Sequence, residues 1–411
     1  MYIKRAVEDS VKNIIETFPV LLVIGPRQVG KSTMLEKLSE EIPGKDRKRT
    51  IVTLDDPEIR FLAQNDPGLF MQRYTPPLLI DEIQYAPQLL PYIKMHVDKS
   101  GRNGDFWLTG SQAFHMMKNI SESLAGRVGM VDLLGFSDNE IHKTPSVPFV
   151  TDPNELKVRL DVTKKMELNE IYQRIFMGSM PRLYTEQNLD REKYYRGYVN
   201  TYLQRDIRDL TQVADEMKFY NFMTVVAART GKPVIYEEIA SEVGISAPTA
   251  KEWMSVLVSS KIVALVQQYH NNALKRITKM PLVHFLDTGL CAYLLKWKDS
   301  ETLETGAMSG PFFESFVYSE IHKSYINAGK EPPLYYYRDK DKKEIDLILL
   351  EGDTVYPIEI KKSASPGKSA IKNFHIFKSA GIKVGAGSVI CMASDLLPVD
   401  AENWYVPVWL I

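Results

Sequence analysis

The sequence predicts a mixed α/β protein in which a parallel-sheet domain is followed by a helical region and a second α/β domain. Three observations predict this architecture. Short apolar runs alternate with helical patterns over residues 1–140, as in a parallel sheet whose faces are covered by helices. Residues 236–257 have the pattern of two helices joined by a tight turn. Residues 312–361 hold a helical pattern followed by strand-like alternation.

Composition places the chain among ordinary folded proteins. Its 411 residues suggest about two to four domains, and 44% are hydrophobic and 25% charged. The formal net charge is −1, so any binding to nucleic acid must use local patches rather than a global field. The cysteines, Cys291 and Cys391, cannot form a disulfide framework, which favours a reducing compartment. No apolar run approaches the ~20 residues of a membrane span, and no signal-peptide core is present, so we expect a cytoplasmic protein.

The first motif is a glycine loop between a strand and a helix. After an amphipathic helix over residues 4–17, the apolar run 18–24 leads into Gly25-Pro-Arg-Gln-Val-Gly-Lys-Ser32, and helical periodicity follows. This order is what a Walker A loop requires. The glycines let backbone N–H groups turn toward phosphate oxygens, the lysine reaches the β- and γ-phosphates, and the serine ligates magnesium. The predicted nucleotide-binding residues are Gly25, Pro26, Arg27, Gln28, Val29, Gly30, Lys31, Ser32 and Thr33, and the predicted cofactors are ATP and Mg²⁺.

An acidic pair follows the next buried strand. The apolar run 78–80 indicates a central strand buried on both faces, and Asp81 and Glu82 come directly after it. Asp81 would hold the magnesium ion, directly or through water, and Glu82 would accept a proton from the attacking water. Strands often end in charged residues, but the glycine loop upstream favours the catalytic interpretation. We therefore predict a P-loop domain that hydrolyses a nucleoside triphosphate.

Two later segments add candidate residues to this domain. The strand-like segment 105–111 ends near Thr109 and Ser111, either of which could hydrogen-bond the attacking water or the γ-phosphate. The alternative is an ordinary hydroxyl satisfied at a strand end. Arg127 precedes the last strand-like run, 128–134, where an arginine finger could act in cis or in trans. The alternative for Arg127 is a solvated surface charge.

These motifs together resemble the prokaryotic AAA-type ATPases that carry a carboxy-terminal domain of unknown function, DUF4143. The residues that carry the resemblance are Gly25–Thr33, Leu54–Asp56, Leu79–Gln84, Leu108–Ser111, Ser123–Arg127, Thr201–Asp206, Thr249–Trp253, Lys275-Arg276, Phe285–Gly289 and Phe313-Glu314. The resemblance covers nearly the whole chain and implies an ATPase domain, a winged-helix domain and a nuclease-like domain. The expected boundaries are 1–140 for the ATPase domain, 141–212 for a helical connector, 213–300 for the winged helix and 301–411 for the nuclease-like domain.

Two regions offer basic residues for nucleic acid. In the connector, a predicted helix over 191–210 mixes arginines with tyrosines, which predicts either phosphate contacts or a solvated face opposite a packing face. In the winged helix, Gly244 gives the tight turn and Ser246 caps the second helix. This domain would contact DNA or, alternatively, another protein. The candidate cations are Arg196, Arg205 and Arg208 on the connector helix, Lys251 on the second helix, and Lys275, Arg276 and Lys279 on the wing.

The last region holds a second acidic constellation. Glu314 shares a helix face with apolar residues, Asp346 lies near the start of a strand, and Glu359 and Lys361 alternate on the next strand. This order resembles the PD-(D/E)xK nuclease core, in which the carboxylates hold magnesium and the lysine helps to activate water. It predicts Glu314, Asp346 and Glu359 as metal ligands and Lys361 as catalytic. Activity is a separate question, because folds outlive their chemistry.

Two functional hypotheses follow. In the first, the protein is an ATP-driven enzyme on DNA, and ATP hydrolysis gates a metal-dependent nuclease. In the second, it is a regulatory nucleotide switch whose terminal domains only bind partners or nucleic acid. The intact acidic set favours the first hypothesis, and the small number of basic residues favours the second. The sequence leaves the oligomeric state open.

Overall fold

The computed structural model describes residues 2–42, 48–111, 123–202, 216–270 and 280–411. These residues form a five-stranded sheet near the amino terminus and a ten-stranded sheet in the carboxy-terminal half. Within these ranges, no helix combines the length and the apolar character that crossing a bilayer would require. The predicted DNA contacts at Arg205, Arg208, Lys275, Arg276 and Lys279 lie outside the described residues.

The first sheet is parallel throughout, as the sequence predicts. Its strands, in the spatial order β2-β3-β4-β1-β5, are β1 (Val20–Ile24), β2 (Thr50–Thr53), β3 (Leu78–Asp81), β4 (Phe106–Gly110) and β5 (Val128–Asp132). The helices of this region are α1 (Glu8–Thr17), α2 (Lys31–Glu41), α3 (Pro57–Asn65), α4 (Pro67–Arg73) and α5 (Leu89–Ser100). Because the strands run in one direction, their carboxyl ends meet at one edge, where the glycine loop and Asp81 both lie.

Alternate residues of the central strand β1 enter two separate apolar cores. Leu21 and Val23 belong to the core that extends toward the carboxy-terminal half of the chain. Val20 and Leu22 belong to the core that also contains residues of α3, α4 and α5. All residues of β1 are buried, since both faces of a parallel sheet are covered.

A helical connector follows the first sheet. Its helices are α6 (Asp138–His142), α7 (Pro153–Leu160), α8 (Leu168–Met177), α9 (Arg182–Thr185) and α10 (Arg191–Thr201). On α10, Tyr194, Tyr195 and Tyr198 are buried. Arg196 is exposed and pairs with Glu192 at 2.8 Å. The described part of this helix therefore has a packing face of tyrosines and a solvated basic face, which is the second of the two interpretations.

Within its described residues, the next region begins with the order helix, strand, helix, turn, helix, strand, strand, and two further helices follow. Its elements are α11 (Glu216–Ala228), β6 (Lys232–Pro233), α12 (Tyr236–Val243), α13 (Ala247–Ser259), β7 (Val263–Gln268), β8 (Leu282–Phe285), α14 (Thr288–Leu294) and α15 (Ser300–Thr305). Gly244 adopts φ +74° between α12 and α13, a left-handed conformation that favours glycine. Ser246 Oγ accepts a hydrogen bond from the Thr249 amide at 3.2 Å and caps α13. Strand β8 pairs antiparallel with both β6 and β7.

The carboxy-terminal region begins with the long helix α16 and ends in a mixed sheet. Its elements are α16 (Ser309–Asn327), β9 (Leu334–Arg338), β10 (Glu344–Glu351), β11 (Thr354–Lys361), α17 (His375–Ser379), β12 (Lys383–Val384), β13 (Gly387–Cys391), β14 (Leu397–Pro398) and β15 (Asn403–Pro407). Strands β9, β10 and β11 are antiparallel neighbours, whereas β11, β13 and β15 are parallel. Gln267 of β7 pairs with Tyr335 of β9, so one sheet crosses the domain boundary expected near residue 300.

Candidate functional site

The glycine loop has the backbone that the motif requires. Gly25 adopts φ +154°, and a Cβ added there would lie 2.0 Å from the carbonyl oxygen of Leu133. Gly30 adopts φ +88° immediately before α2, and no side chain caps that helix. The positive φ of both glycines, and of Gln28 at +60°, lets the loop curl between strand and helix. The uncapped start of α2 therefore presents its first N–H groups and its positive dipole end to the loop.

Lys31 lies across the glycine loop. Its Nζ donates hydrogen bonds to the carbonyl oxygens of Gly25, at 3.0 Å, and Pro26, at 2.9 Å. The side chain is buried, with 6% of the residue exposed. The ammonium is thus held beside the glycine loop, where the motif requires it.

Asp81 is the centre of a hydroxyl cluster. Its Oδ1 accepts hydrogen bonds from Ser32 Oγ and Thr109 Oγ1, both at 2.5 Å. Its Oδ2 accepts from Thr53 Oγ1 at 3.4 Å. These contacts join the carboxyl ends of three strands to the start of α2. A carboxylate beside a serine hydroxyl is a set of oxygen donors that suits Mg²⁺, so the residues fit the predicted cofactor.

Glu82 leaves the strand in a left-handed conformation, with φ +59°. Its amide donates to Thr109 Oγ1 at 3.0 Å, and its carboxylate accepts from Ser111 Oγ at 3.4 Å and from Gln84. Thr109 and Ser111 are therefore hydroxyls already bonded to the acidic pair, and they orient it. The sensor role of either residue stays a prediction.

The glycine loop and Glu82 line a cavity of about 690 Å³. Pockets for small molecules and cofactors usually measure roughly 300–1,000 Å³, so this volume suits a nucleotide. The lining residues are Tyr2, Ile3, Arg5, Gln28, Val29, Gly30, Lys31, Ser32, Thr33, Glu82, Phe136, Pro181, Arg182, Thr185 and Glu186. Gly25, Pro26 and Arg27 of the predicted set do not line the cavity.

Several residues of this cavity were not predicted from the sequence. Arg5 donates to the carbonyl oxygens of Val29, at 2.8 Å, and Leu134, at 2.7 Å, and pairs with Glu140 at 2.9 Å, so it braces the glycine loop. Arg182, on α9, also lines the cavity and forms a two-bond pair with Glu186 at 2.7 and 2.8 Å. No local pattern marks these residues, because they reach the cavity from distant parts of the chain.

Arg127 lies at the opposite edge of the sheet. Its carbonyl oxygen accepts from the Val20 amide at the amino end of β1, a full strand from the glycine loop. The guanidinium pairs with Asp98 through bonds of 2.5 and 3.1 Å. Arg127 therefore does not reach the phosphate cavity of its own chain, which argues against the cis role because the sheet separates them. A role in trans stays a prediction.

The acids of the carboxy-terminal region line two cavities, and they lie close enough for the charge of Asp346 to act on both glutamates. Glu314 and Asp346 line a cavity of about 270 Å³, together with His284 of β8. Glu359 and Lys361 line another, of about 400 Å³. Lys361 Nζ lies between the acids of the two strands, 2.6 Å from Glu359 Oε1 and 3.5 Å from Asp346 Oδ2.

Burial changes the titration of these acids. Burial, together with the charge of Asp346, raises the pKa of Glu314 to about 7 and that of Glu359 to about 7. Burial also raises the pKa of Asp346. Glu359 Oε2 is buried without a hydrogen-bond partner. Burial therefore favours the protonated form of each acid, while the Lys361 ammonium favours the charged form of Asp346 and Glu359.

The predicted metal ligands do not form a ready cluster. Among the described residues, no three His, Cys, Asp or Glu side chains are grouped as a metal site would require. Asp346 and Glu359 instead pair with the Lys361 ammonium, and the assignment of the three acids to one metal stays a prediction. The unpartnered oxygen of Glu359 is the feature that still fits a cation.

Three family models match consecutive parts of the chain. Residues 17–142 match the family described as AAA domain, and residues 309–411 match a domain of unknown function, DUF4143. Residues 168–301, between them, match a further domain of unknown function, DUF8612. With the glycine loop and the parallel sheet, the first match makes the amino-terminal part an AAA-type, P-loop ATPase-like domain, and it supports nucleotide binding.

The chain is similar to two uncharacterized mycobacterial proteins, from Mycobacterium bovis and Mycobacterium tuberculosis. Each is 26% identical over 375 residues, which cover 89% of this chain and 75% of the relative. Among solved structures, a Walker-type ATPase of Pyrococcus abyssi has 16% identity and a TM-score of 0.43, covering 70% of this chain and 94% of that one. AMPPCP-bound DnaA from Aquifex aeolicus has 13% identity and a TM-score of 0.27, covering 62% and 86%.

Proposed function

We propose that the protein binds ATP and hydrolyses it with Mg²⁺ in the cavity beside the glycine loop. The observation that carries this proposal is the convergence of Ser32 and Thr109 on one oxygen of Asp81, next to Lys31 and Glu82. The AAA match supports the same activity class. Ser32 and Asp81 would hold the ion, which when bound neutralises phosphate charge.

Each protein group then has a defined task. Lys31 exchanges its loop carbonyls for phosphate oxygens, and the uncapped start of α2 supplies N–H donors to the same anion. Glu82 accepts the proton of the attacking water, and the Ser111 and Gln84 contacts hold its carboxylate in position. Thr109 fixes both acids, because it donates to Asp81 and accepts from the Glu82 amide.

Phosphate release from ATP tests this proposal directly. We expect release with Mg²⁺, none after the metal is chelated, and retention of ATP binding at low metal because the glycine loop and Lys31 supply most phosphate contacts. A protein that neither binds nor hydrolyses ATP would overturn the proposal.

We further propose that ATP hydrolysis gates the carboxy-terminal region. Asp138 lies two residues after Phe136 of the cavity wall, and its backbone N–H donates a hydrogen bond to Glu320 Oε2 of α16 at 2.9 Å. The same helix carries Glu314, two turns earlier. A nucleotide that moves the cavity wall would therefore also move α16. That helix carries Glu314, which with Asp346 and Glu359 forms what we call the second acidic site.

A metal-dependent nuclease acting on DNA is the second candidate activity. It is supported by the helix-strand-strand order of Glu314, Asp346 and Glu359-x-Lys361, which resembles PD-(D/E)xK enzymes, and by the unpartnered oxygen of Glu359. The element order from α11 to β8 supports a winged helix that contacts DNA or protein. The alternative is a nucleotide switch whose terminal regions only bind partners or nucleic acid, and the formal net charge of −1 favours it.

Incubation of supercoiled DNA with the protein and Mg²⁺ or Mn²⁺, with and without ATP, separates these two functions. Nicking that requires the metal supports the gated nuclease. Intact DNA under every condition, together with ATP hydrolysis, supports the switch.

A further inference from the structure

The chain between Glu359 and Asp395 has an unusual charge distribution. It contains six lysines and no acidic residue, although the whole protein has a formal net charge of −1. The lysines are Lys361, Lys362, Lys368, Lys372, Lys378 and Lys383. Like charges that cluster without acids repel one another, and such clusters are typical of surfaces that bind an anion.

Four of these lysines have partners within the described residues. Lys361 pairs with Glu359 and Asp346, Lys378 with Glu402 and Lys383 with Asp353, while Lys362 donates to the carbonyl oxygen of Glu304 and lies over the ring of Tyr172. Lys368 and Lys372 are exposed. In the described part of the chain, neither has a carboxylate within ion-pair distance. Asp400 lies near enough to Lys368 for the two charges to interact but forms no ion pair with it, so both ammonium groups remain accessible to a ligand.

The segment that carries the two unpaired lysines is held against the sheet. It forms a short 3-10 turn, Lys368–Ile371, and the Asn373 side chain donates to the carbonyl oxygen of Glu344 at 2.8 Å. This bond joins the segment to the first residue of β10, and Lys343, which precedes that residue, is also exposed. We define the lysine patch as Lys343, Lys368 and Lys372.

The patch borders the cavity of the second acidic site. Lys372 and Asn373 line the same cavity of about 400 Å³ as Glu359 and Lys361. Ser363 and Ser369 line it as well, so hydroxyl and amide groups that can bond phosphate oxygens accompany the cations. An extended polyanion bound along the patch would therefore lie beside the acid and lysine of β11.

We propose that the lysine patch binds the phosphate backbone of a nucleic acid and directs it along the cavity that contains Glu359 and Lys361. The inference rests on the nucleic-acid partner of the proposed function, and adds where the contact lies. A lipid surface fits less well, because no large apolar side chain between Lys361 and Ser394 is among the exposed ones of the described residues. Membrane-binding segments usually insert such side chains.

The test compares two triple variants by their binding of an oligonucleotide, in the absence of ATP and over a series of salt concentrations. Lys343→Gln, Lys368→Gln and Lys372→Gln together remove the patch. Lys37→Gln, Lys164→Gln and Lys193→Gln remove the same charge from exposed lysines that each pair with an acid. For a labelled DNA duplex, we expect the patch variant to lose about 2–3 from the slope of log K against log salt, since each phosphate contact contributes ~0.9. The control variant should keep the wild-type slope.

The outcomes distinguish this inference from the function on which it rests. Equal slopes in wild type and both variants would overturn the patch and leave a nucleic-acid partner in place. Absence of binding by wild type to duplex, single-stranded DNA and RNA would overturn both. Patch-dependent binding to phosphatidylserine vesicles without oligonucleotide binding would overturn the inference in favour of a membrane. Unchanged melting temperatures would exclude misfolding as the cause of a lost slope.

Discussion

Lys323 Nζ donates a hydrogen bond to the carbonyl oxygen of Phe136 at 2.9 Å, and this bond joins α16 to the wall of the nucleotide cavity. The same ammonium pairs with Glu320 at 2.5 Å, and both side chains are almost fully buried. Since Glu320 also accepts from the Asp138 amide, one buried ion pair connects the ATPase-like domain to the helix that carries Glu314.

Removal of Lys323 should therefore destabilise the whole protein. In Lys323→Met, Glu320 would keep only the more distant Arg174, at 3.9 Å, as a cation, so the cost should approach the about 3–5 kcal/mol of a broken buried ion pair. We expect the free energy of unfolding in urea to fall by this amount, and Lys330→Met, at an exposed lysine just beyond α16, to leave it unchanged. Equal stability of both variants would contradict the importance of the pair.

Lys31 and Glu82 should separate nucleotide binding from hydrolysis. Lys31→Ala removes the cation that faces the phosphates and should abolish ATP binding. Glu82→Gln keeps the site but loses the proton acceptor, so it should retain bound ATP while turnover falls by about 10²–10⁴. Filter binding of labelled ATP and phosphate release measure the two effects. Equal loss of ATP affinity in both variants would refute the role of Glu82.

Arg127 should act between copies of the chain if it acts in catalysis. It lies at the amino edge of the sheet, away from its own cavity, so its effect requires a neighbour. ATPase activity per molecule should then rise with protein concentration, and Arg127→Ala should keep ATP affinity but lose about 10³–10⁵ in rate. Asp98→Ala serves as the control, because it removes the ion-pair partner of Arg127 and leaves the arginine itself in place. Concentration-independent activity in wild type would contradict the role in trans.

Glu314 should make stability fall as the pH rises. Its pKa is raised to about 7 from an ordinary value of 4.5, so the folded state holds a proton that the unfolded state releases between these values. The contribution of Glu314 to the free energy of unfolding is therefore greatest below pH 4.5. It declines as the pH rises through 7, by on the order of 1–3 kcal/mol. Glu314→Gln should flatten the difference in urea stability between pH 5 and pH 8. A variant with the wild-type difference would contradict the raised pKa.

A divalent ion should stabilise the second acidic site only where its carboxylates remain. We expect Mg²⁺ or Mn²⁺ to raise the melting temperature of wild type by linkage. Asp346→Ala should abolish this shift and any DNA cleavage, whereas Lys361→Ala should keep the shift and lose cleavage. Differential scanning calorimetry with the metal, against chelator, measures the shift. A shift in Asp346→Ala equal to that of wild type would move the metal elsewhere.

Much of this protein can be read from short stretches of its sequence. The glycine loop between β1 and α2, the acid pair at Asp81 and the turn at Gly244 each depend on the backbone of a few adjacent residues. The residue types and periodicity of these short stretches are therefore enough to predict them. The alternation of Leu21 and Leu22 between two cores is likewise a property of any buried parallel strand.

The tertiary structure decided which distant residues complete each site. Arg5 and Arg182 both line the nucleotide cavity, although one precedes the glycine loop along the chain and the other follows it by about 150 residues. No spacing rule predicts either residue. The division of the acids by Lys361, and the sheet that continues from β7 into β9, follow from packing and strand pairing between remote segments. Local patterns fix the conformation of each element, but contacts between elements depend on the free energy of the whole fold, which short sequence motifs do not record.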